Sequence, residues 1–260
     1  MTIGPTSITD RGFSFVMKIA IMSDIHGNLE ALTCVLQDIK EQGCQFTYCL
    51  GDVVGYGPNP KECLLAMQQF GIPVVKGNHD EASSTDVPLD DYTFWAVDAL
   101  NWTRDKLQPE HKQWLEQLPF HLELPQFDAT LYHANGHNPG RWDYIEKGFD
   151  AIRTLFTQNT QFSFVGHTHV AKLIILNADG QIRDLPPGNL TAVAGQKYCV
   201  NVGSVGQPRD GDARSSYVIY EPDARSIVYR RVTYPIEQTQ SKMIKEGLPG
   251  LLAARLALGY

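Results

Sequence analysis

Short apolar runs alternate with amphipathic stretches through the first two-thirds of the chain, and strand-like runs dominate after that. Ile19 to Met22 is apolar and rich in β-formers, and the polar turn Ser23-Asp24-Ile25-His26-Gly27 follows it directly. Asn28 then stands as a helix cap. Leu29, Leu32, Val35, Leu36 and Ile39 recur at helical spacing until Gly43 ends the segment. Phe46 to Leu50 predicts a second buried strand running into Gly51-Asp52. Asn59-Pro60 opens another helix, because proline is tolerated where the first turn leaves its N–H unused, and Gly71 stops it. Pro73 to Val75 predicts a third strand, leading into Gly77-Asn78-His79-Asp80.

Tyr92 to Leu118 reads as helical, with Trp95, Leu100, Trp102, Trp114 and Leu115 as core anchors. Strands are predicted near Leu131 and from Phe162 to Val165, with a helix over Ala151 to Phe156 between them. Lys172 to Leu176 and Gln181 to Leu185 flank Asn177-Ala178-Asp179-Gly180, a hairpin-type turn. Tyr198 to Val202, Tyr217 to Tyr220 and Ile227 to Val232 read as further strands, and the C-terminal stretch returns to helix, broken at Gly247-Leu248-Pro249. Alternating β and α units followed by a run of strands predict an α/β fold of layered α/β/β/α type, with two packed mixed sheets. With no internal repeat and no Gly/Ser linker, residues 17–260 read as one domain and residues 1–16 as a tail without an assigned role.

Composition narrows the function. No apolar run approaches the roughly 20 residues that cross a bilayer, so no membrane role is expected. The formal charge of −7 argues against a nucleic-acid-coating surface. An anionic substrate would need local positive charge, which bound metal could supply. Five cysteines lack metal-type spacing, and three sit in apolar stretches as small core residues. That usage suits a reducing cytosol, and the first 16 residues lack the pattern of a signal peptide, so a cytoplasmic location is expected. Oligomeric state is not legible.

The polar residues that matter follow directly on the apolar runs. Asp24 and His26, Asp52, Asn78 and His79, His133, and His167 and His169 each close a predicted strand. Ligand sites in such sheets gather at the carboxyl ends of strands, so five strand ends would bring these groups to one edge. Residues two apart point the same way in extended chain, which pairs Asp24 with His26 and His167 with His169. Carboxylate, imidazole and amide oxygen without thiolate suit Mn, Fe, Zn, Co or Ni. Seven donors exceed one ion and fit two that share a bridging carboxylate. Two carboxylates against two divalent ions leave about two positive charges to attract a phosphate ester.

Ser23-Asp24-Ile25-His26-Gly27-Asn28, Gly51-Asp52, Gly77-Asn78-His79-Asp80, His133 and Gly166-His167-Thr168-His169 resemble the calcineurin-like metallophosphoesterase superfamily. The stretch from Asn201 to Asp212 and the segment from Gly247 onward are similar to its small bacterial and archaeal phosphodiesterase branch. The resemblance covers residues 17–260. It implies that Asp24, His26 and His169 hold one divalent transition-metal ion, with manganese the leading choice, and that Asn78, His133 and His167 hold a second. Asp52 would bridge. His79 would protonate the leaving oxygen, assisted by a carboxylate such as Asp80. The implied reaction is in-line attack by metal-activated hydroxide on small or nucleotide-like phosphoesters. A dinucleoside polyphosphate hydrolase and a non-catalytic scaffold of the same fold are the alternatives.

Three departures qualify it. The run His133-Ala134-Asn135-Gly136-His137 makes His137 a rival to His133. Gly55-Tyr56-Gly57 stands where protein Ser/Thr phosphatases have Asp-Arg-Gly, which argues against a phosphoprotein substrate. Val202 replaces a proline common in the branch. Among the remaining polar residues, Asn28 reads as a helix cap, and His111 and His121 as surface or boundary residues. Arg209 either touches phosphate or pairs with Asp210 or Asp212. Arg141-Trp142-Asp143-Tyr144 either shapes the substrate cleft or packs it.

Overall fold

Alternate residues of the first strand, β1 (Ile19–Met22), enter different cores. Ile19 and Ile21 face a sheet-to-sheet interior with Phe162, Phe164, Val200 and Tyr220, while Ala20 and Met22 face a helical layer with Leu32, Val35 and Cys63. This period-two alternation, buried on both sides, is what a strand in the middle of a layered molecule requires. The computed structural model describes residues 16–260. The predicted tail therefore lies outside the described residues except for Val16.

In chain order β1 is followed by α1 (Leu29–Glu41), β2 (Phe46–Cys49), α2 (Pro60–Gln69), α3 (Asn78–Ser84), α4 (Phe94–Lys106), α5 (Pro109–Glu116), β3 (His121–Leu124) and β4 (Ala129–Tyr132). Then come α6 (Gly148–Thr157), β5 (Phe162–Val165), β6 (Lys172–Leu176), β7 (Ile182–Leu185), β8 (Leu190–Thr191), β9 (Lys197–Asn201), β10 (Ser215–Glu221) and β11 (Ser226–Val232). Helices α7 (Ile236–Lys245) and α8 (Gly250–Leu258) close the chain. One sheet has the order β2-β1-β10-β11-β8 and the other β3-β4-β5-β9-β6-β7. Both are mixed: β1–β2, β4–β5 and β5–β9 run parallel, and the remaining pairs antiparallel. The sheets face each other across the aromatic interior; α1 and α2 cover the first sheet, and α6 covers the second through Ala151 and Leu155. The layered α/β/β/α architecture read from the sequence is the one observed.

Four local expectations change. Pro73–Val75 makes a single parallel bridge, Cys49 to Val74, and not a strand. Pro73 offers no N–H, and the Lys76 N–H turns away to the carbonyl of Pro119 at 2.7 Å, so the ladder ends. The segment 92–118 is two helices, split because the residue before Pro109 is held extended (Gln108 ψ 162°). Trp95 is 43% exposed and anchors nothing; Ala96, Ala99, Leu100 and Thr103 form the buried stripe of α4. His111 is buried and accepts the Gln108 N–H through Nδ1, so it caps α5 from inside and does not sit on the surface.

Candidate metal centre

The loops after the strands hold their polar residues in unusual backbone conformations. Among the described residues eight non-glycine positions have positive φ, and six of them are Asp24, His26, Asp52, Tyr56, His167 and His169, between 49° and 65°. Each such position costs steric energy, so the surroundings must over-determine it. They do so by crossing between loops. Asp24 N–H donates to Gly51 O at 3.0 Å, His26 N–H to Asp52 O at 2.8 Å, and Gly206 N–H to Asp24 O at 2.9 Å. Gly77 must be glycine for a related reason: a Cβ there would lie 2.1 Å from Asp52 Oδ1.

Both carboxylates divide their oxygens in the same way. Asp24 Oδ2 accepts the His167 main-chain N–H at 3.0 Å, and Asp52 Oδ1 accepts that of His79 at 2.8 Å. The other oxygens, Asp24 Oδ1 and Asp52 Oδ2, are buried without a hydrogen-bond partner. They face imidazole nitrogens: Asp24 Oδ1 is 3.3 Å from His169 Nε2, and Asp52 Oδ2 is 3.6 Å from His26 Nε2 and 3.4 Å from His133 Nε2.

The histidines are tied from behind. His26 Nδ1 donates to Val54 O at 3.1 Å, His133 Nδ1 to Leu50 O at 2.8 Å, and His169 Nδ1 to Gln207 O at 2.7 Å. His167 uses Nε2, donating to Trp142 O at 3.0 Å. A carbonyl can only accept, so each contact places the ring proton on the outer nitrogen and turns the inner lone pair towards the centre. Asn78 presents its amide oxygen 3.1 Å from His133 Nε2, because its Nδ2 donates to the Tyr92 hydroxyl and that hydroxyl donates to Asn78 O. Asp24, His26, Asp52 and His169 each bring one donor atom within 4.8 Å of the others, and Asp52, His133 and His167 do the same. Asp52 is common to both groups.

Electrostatics describe a centre short of positive charge. Burial opposes ionisation of Asp24, yet neighbouring His169 holds its carboxyl well below the usual range. Burial likewise opposes ionisation of Asp52, and His133 and His79 hold it down. Burial disfavours the imidazolium of His133, but the Asp52 carboxylate lifts it to about 9. Burial pushes His26 well below its ordinary value, lowers His169, and together with the charge of His133 takes His167 to about 3. Without a cation, two ionised carboxylates thus face one imidazolium, His133, whose inner proton must leave before its lone pair can face a metal ion.

Divalent cations fit this donor set. His26 Nε2 and His169 Nε2 lie 3.0 Å apart with both outer nitrogens committed, so two lone pairs face each other and a positive centre must reconcile them. The unpaired oxygens Asp24 Oδ1 and Asp52 Oδ2 point to the same need. Oxygen and imidazole donors without thiolate suit first-row transition metals.

The structure brings every sequence-predicted residue to this place, with adjustments around it. His133 lies in the cluster; His137 stands outside it, 3.8 Å from Asp143 Oδ2. His79 belongs to neither donor group, and its ring packs among Tyr56 (4.3 Å), His26 (4.8 Å) and Tyr92 (5.4 Å). Burial, against the pull of Asp52, takes its pKa down to about 4. Asp80 does not assist His79. Its carboxylate accepts the N–H groups of Asp52 (2.8 Å), Val53 (2.9 Å) and Gly77 (3.0 Å), bracing the turn that carries the shared ligand. Asn28 is a cap, accepting Ala31 N–H at 3.1 Å. Tyr92 and the Trp142 carbonyl were invisible in the sequence, since one acts from a loop distant in sequence and the other through its main chain.

The calcineurin-like phosphoesterase superfamily domain model matches residues 17–225. The chain belongs to this superfamily. Within it, the chain is 37% identical to uncharacterized protein MJ0912 of Methanocaldococcus jannaschii over 93% of this chain and 98% of the relative. A metallophosphoesterase from Sphaerobacter thermophilus has a crystal structure that superposes with TM-score 0.82 at 40% identity, covering 94% of this chain and 100% of that one. The hypothetical protein PH1004 of Pyrococcus horikoshii superposes with TM-score 0.76 at 19% identity, covering 94% and 99%, and shows the shared fold. Among the described residues of this phosphoesterase-superfamily chain, no helix is long and apolar enough to cross a membrane.

Proposed function

We propose that the chain is a dinuclear metal-dependent phosphoesterase that hydrolyses small or nucleotide-like phosphoesters, acting as a phosphodiesterase or phosphatase in the cytoplasm. The observation that carries the reading is the pair of donor groups meeting at Asp52, with the unligated His79 beside them. Asp24, His26 and His169 would hold one ion, Asn78, His133 and His167 the other, and Asp52 both. When bound, such ions supply charge that stabilises phosphoryl oxygens and lowers the pKa of water.

The protein's own groups do the rest. Main-chain carbonyls fix the four histidine tautomers, and Asp80 holds the turn bearing Asp52. His79 Nδ1 is buried and unpaired, which leaves Nε2 to exchange a proton with the leaving oxygen. Because burial keeps that ring neutral in the free protein, it would take up a proton when the negative charge of the substrate raises its pKa, and that proton would pass to the leaving oxygen. The intact set of donors with His79 favours an enzyme over a scaffold.

The test is a panel of monoesters, diesters, cyclic nucleotides and dinucleoside polyphosphates, with protein reconstituted separately with Mn, Fe, Zn, Ni, Co and Mg. Turnover of small esters, abolished by a chelator and restored by one of the transition metals, supports the reading. Protein with both sites filled and no turnover of any ester would refute it. Dinucleoside polyphosphates as the best substrates would shift the reading to that class.

A further inference from the structure

Beside the metal centre lies a cavity of about 430 Å³, within the range of small-molecule sites. Part of its wall comes from the loop that carries His167 and His169. Thr168 stands between His167 and His169, and the Arg209 main-chain N–H donates to His169 O at 3.0 Å. The Tyr144 ring stacks on His167, centroids 4.2 Å apart and planes 18° from parallel. Ile145 and Val170 add apolar wall, and Glu146 and Lys172, one of each charge, complete the lining.

Two features ask for a ligand. Tyr144 is 52% exposed although His167 covers one face of its ring, so a second flat group has a face to stack on. Arg209 is a cation with no carboxylate partner among the described residues. The neighbours that would neutralise it are engaged elsewhere, Asp210 with Arg231 and Asp212 with Arg214. Its guanidinium instead donates to Gln207 Oε1 at 2.9 Å and lies 5.6 Å from the centroid of the Tyr56 ring, which also packs on His79. Lys172, the other cation of the wall, is already held by Asp184 at 3.3 Å and by Glu146 O. The ion pair left open by the sequence is therefore absent among the described residues.

We propose that this cavity is a nucleotide subsite, in which a nucleobase stacks on Tyr144 and a phosphate oxygen meets Arg209. A flat group with apolar faces, joined to a phosphate, matches an aromatic face, the Ile145 and Val170 wall and one guanidinium without a carboxylate partner in a single cavity. The proposal rests on the phosphoesterase reading and names its substrate class, esters of nucleotides. Base stacking on an aromatic side chain is typically worth about 5- to 100-fold in affinity.

Calorimetric titration of AMP, ribose 5-phosphate and inorganic phosphate into metal-reconstituted protein tests it. AMP should bind at least about tenfold tighter than ribose 5-phosphate to the unaltered chain. Tyr144→Leu should remove most of that preference, Tyr144→Phe should keep it, and Arg209→Gln should weaken all three ligands together. Elemental analysis of each sample confirms that the metals are retained, and Tyr144→Phe decides the matter if Tyr144→Leu loses them. Equal binding of AMP and ribose 5-phosphate, or a preference lost in Tyr144→Phe, would overturn the subsite. Turnover of bis(p-nitrophenyl) phosphate without any AMP preference would sink the subsite and leave the phosphoesterase reading standing. A Tyr144-dependent AMP preference without turnover of any ester would do the reverse.

Discussion

Asp52 splits its oxygens between tasks, Oδ1 receiving the His79 N–H at 2.8 Å while Oδ2 stays unpaired between His26 and His133. Asp52→Asn keeps the shape and removes the charge, so both donor groups should lose affinity, by more than the roughly 10–100-fold typical of outer-shell changes. Full metal occupancy and rate in that variant would show that Asp52 is not shared. His79 contributes no donor to either group, so His79→Ala should keep the metals and lose about 10²–10⁴-fold on esters with alkoxide leaving groups. Nitrophenolate departs without a proton and should suffer less. An equal drop across leaving groups, with metal lost, would make His79 a ligand. Gly55 offers a second approach to the same ring: it has φ +89°, and a Cβ there would lie 2.5 Å from His79 Nδ1. Gly55→Ala should therefore reproduce the leaving-group pattern of His79→Ala with the metals in place. A variant indistinguishable from the unaltered chain on alkoxide esters would place His79 outside the reaction.

At the scale of elements, the site depends on turns whose main chain is held by side chains. Asp80 accepts three N–H groups from two loops at 2.8 to 3.0 Å, and none of the three donors has water to turn to. Asp80→Ala should cost about 3 kcal/mol or more in unfolding free energy, along with metal affinity, because buried donors are left unsatisfied. Urea melts of the metal-free protein separate the stability effect from the loss of metal. Away from the site, Asp38 on α1 accepts from Arg230 at 2.8 and 3.1 Å and from the Tyr217 hydroxyl at 2.6 Å, tying the helix to β10 and β11. Partial burial works against its ionised form, but these donors hold its pKa below the ordinary 3.8. A depressed carboxyl stabilises the fold above its unfolded pKa, and the contribution disappears as pH falls through the folded value. Asp38→Asn should thus be less stable by about 1 kcal/mol near neutral pH, with the difference closing below pH of about 4. A gap that persists unchanged in acid would assign the effect to packing. These turns also mark where the sequence stopped being informative. The strand ends were legible because apolar runs stop at Asp or His, whereas α3 was not, since Asn78–Ser84 is polar except for Ala82 and has no apolar period to read.

For the whole molecule, the layering followed from patterns that survive in sequence. The unbroken apolar run of β1 and the helical spacing in α1 report burial without knowledge of partners. The candidate donors were legible for the same reason, each lying within four residues of the end of such a run. Long-range contacts left no comparable trace. Nothing in the residue types announces that Tyr144 stacks on His167, that Trp142 lends its carbonyl, or that Arg209 lies over Tyr56. A place at a strand end favoured His133 over His137 in the sequence, and the position of β4 beside β5 puts His133 in the cluster. The joint between the two sheets is where these pieces meet, β1 and β2 delivering Asp24, His26 and Asp52 from one sheet, β4 and β5 delivering His133, His167 and His169 from the other. A centre built across that joint should hold one ion per donor group. The direct measurement is metal content by elemental analysis of active, reconstituted protein beside its Asp52→Asn variant. The account predicts about two transition-metal ions per chain in the first and depletion of both in the second. One ion or none in fully active protein would contradict it.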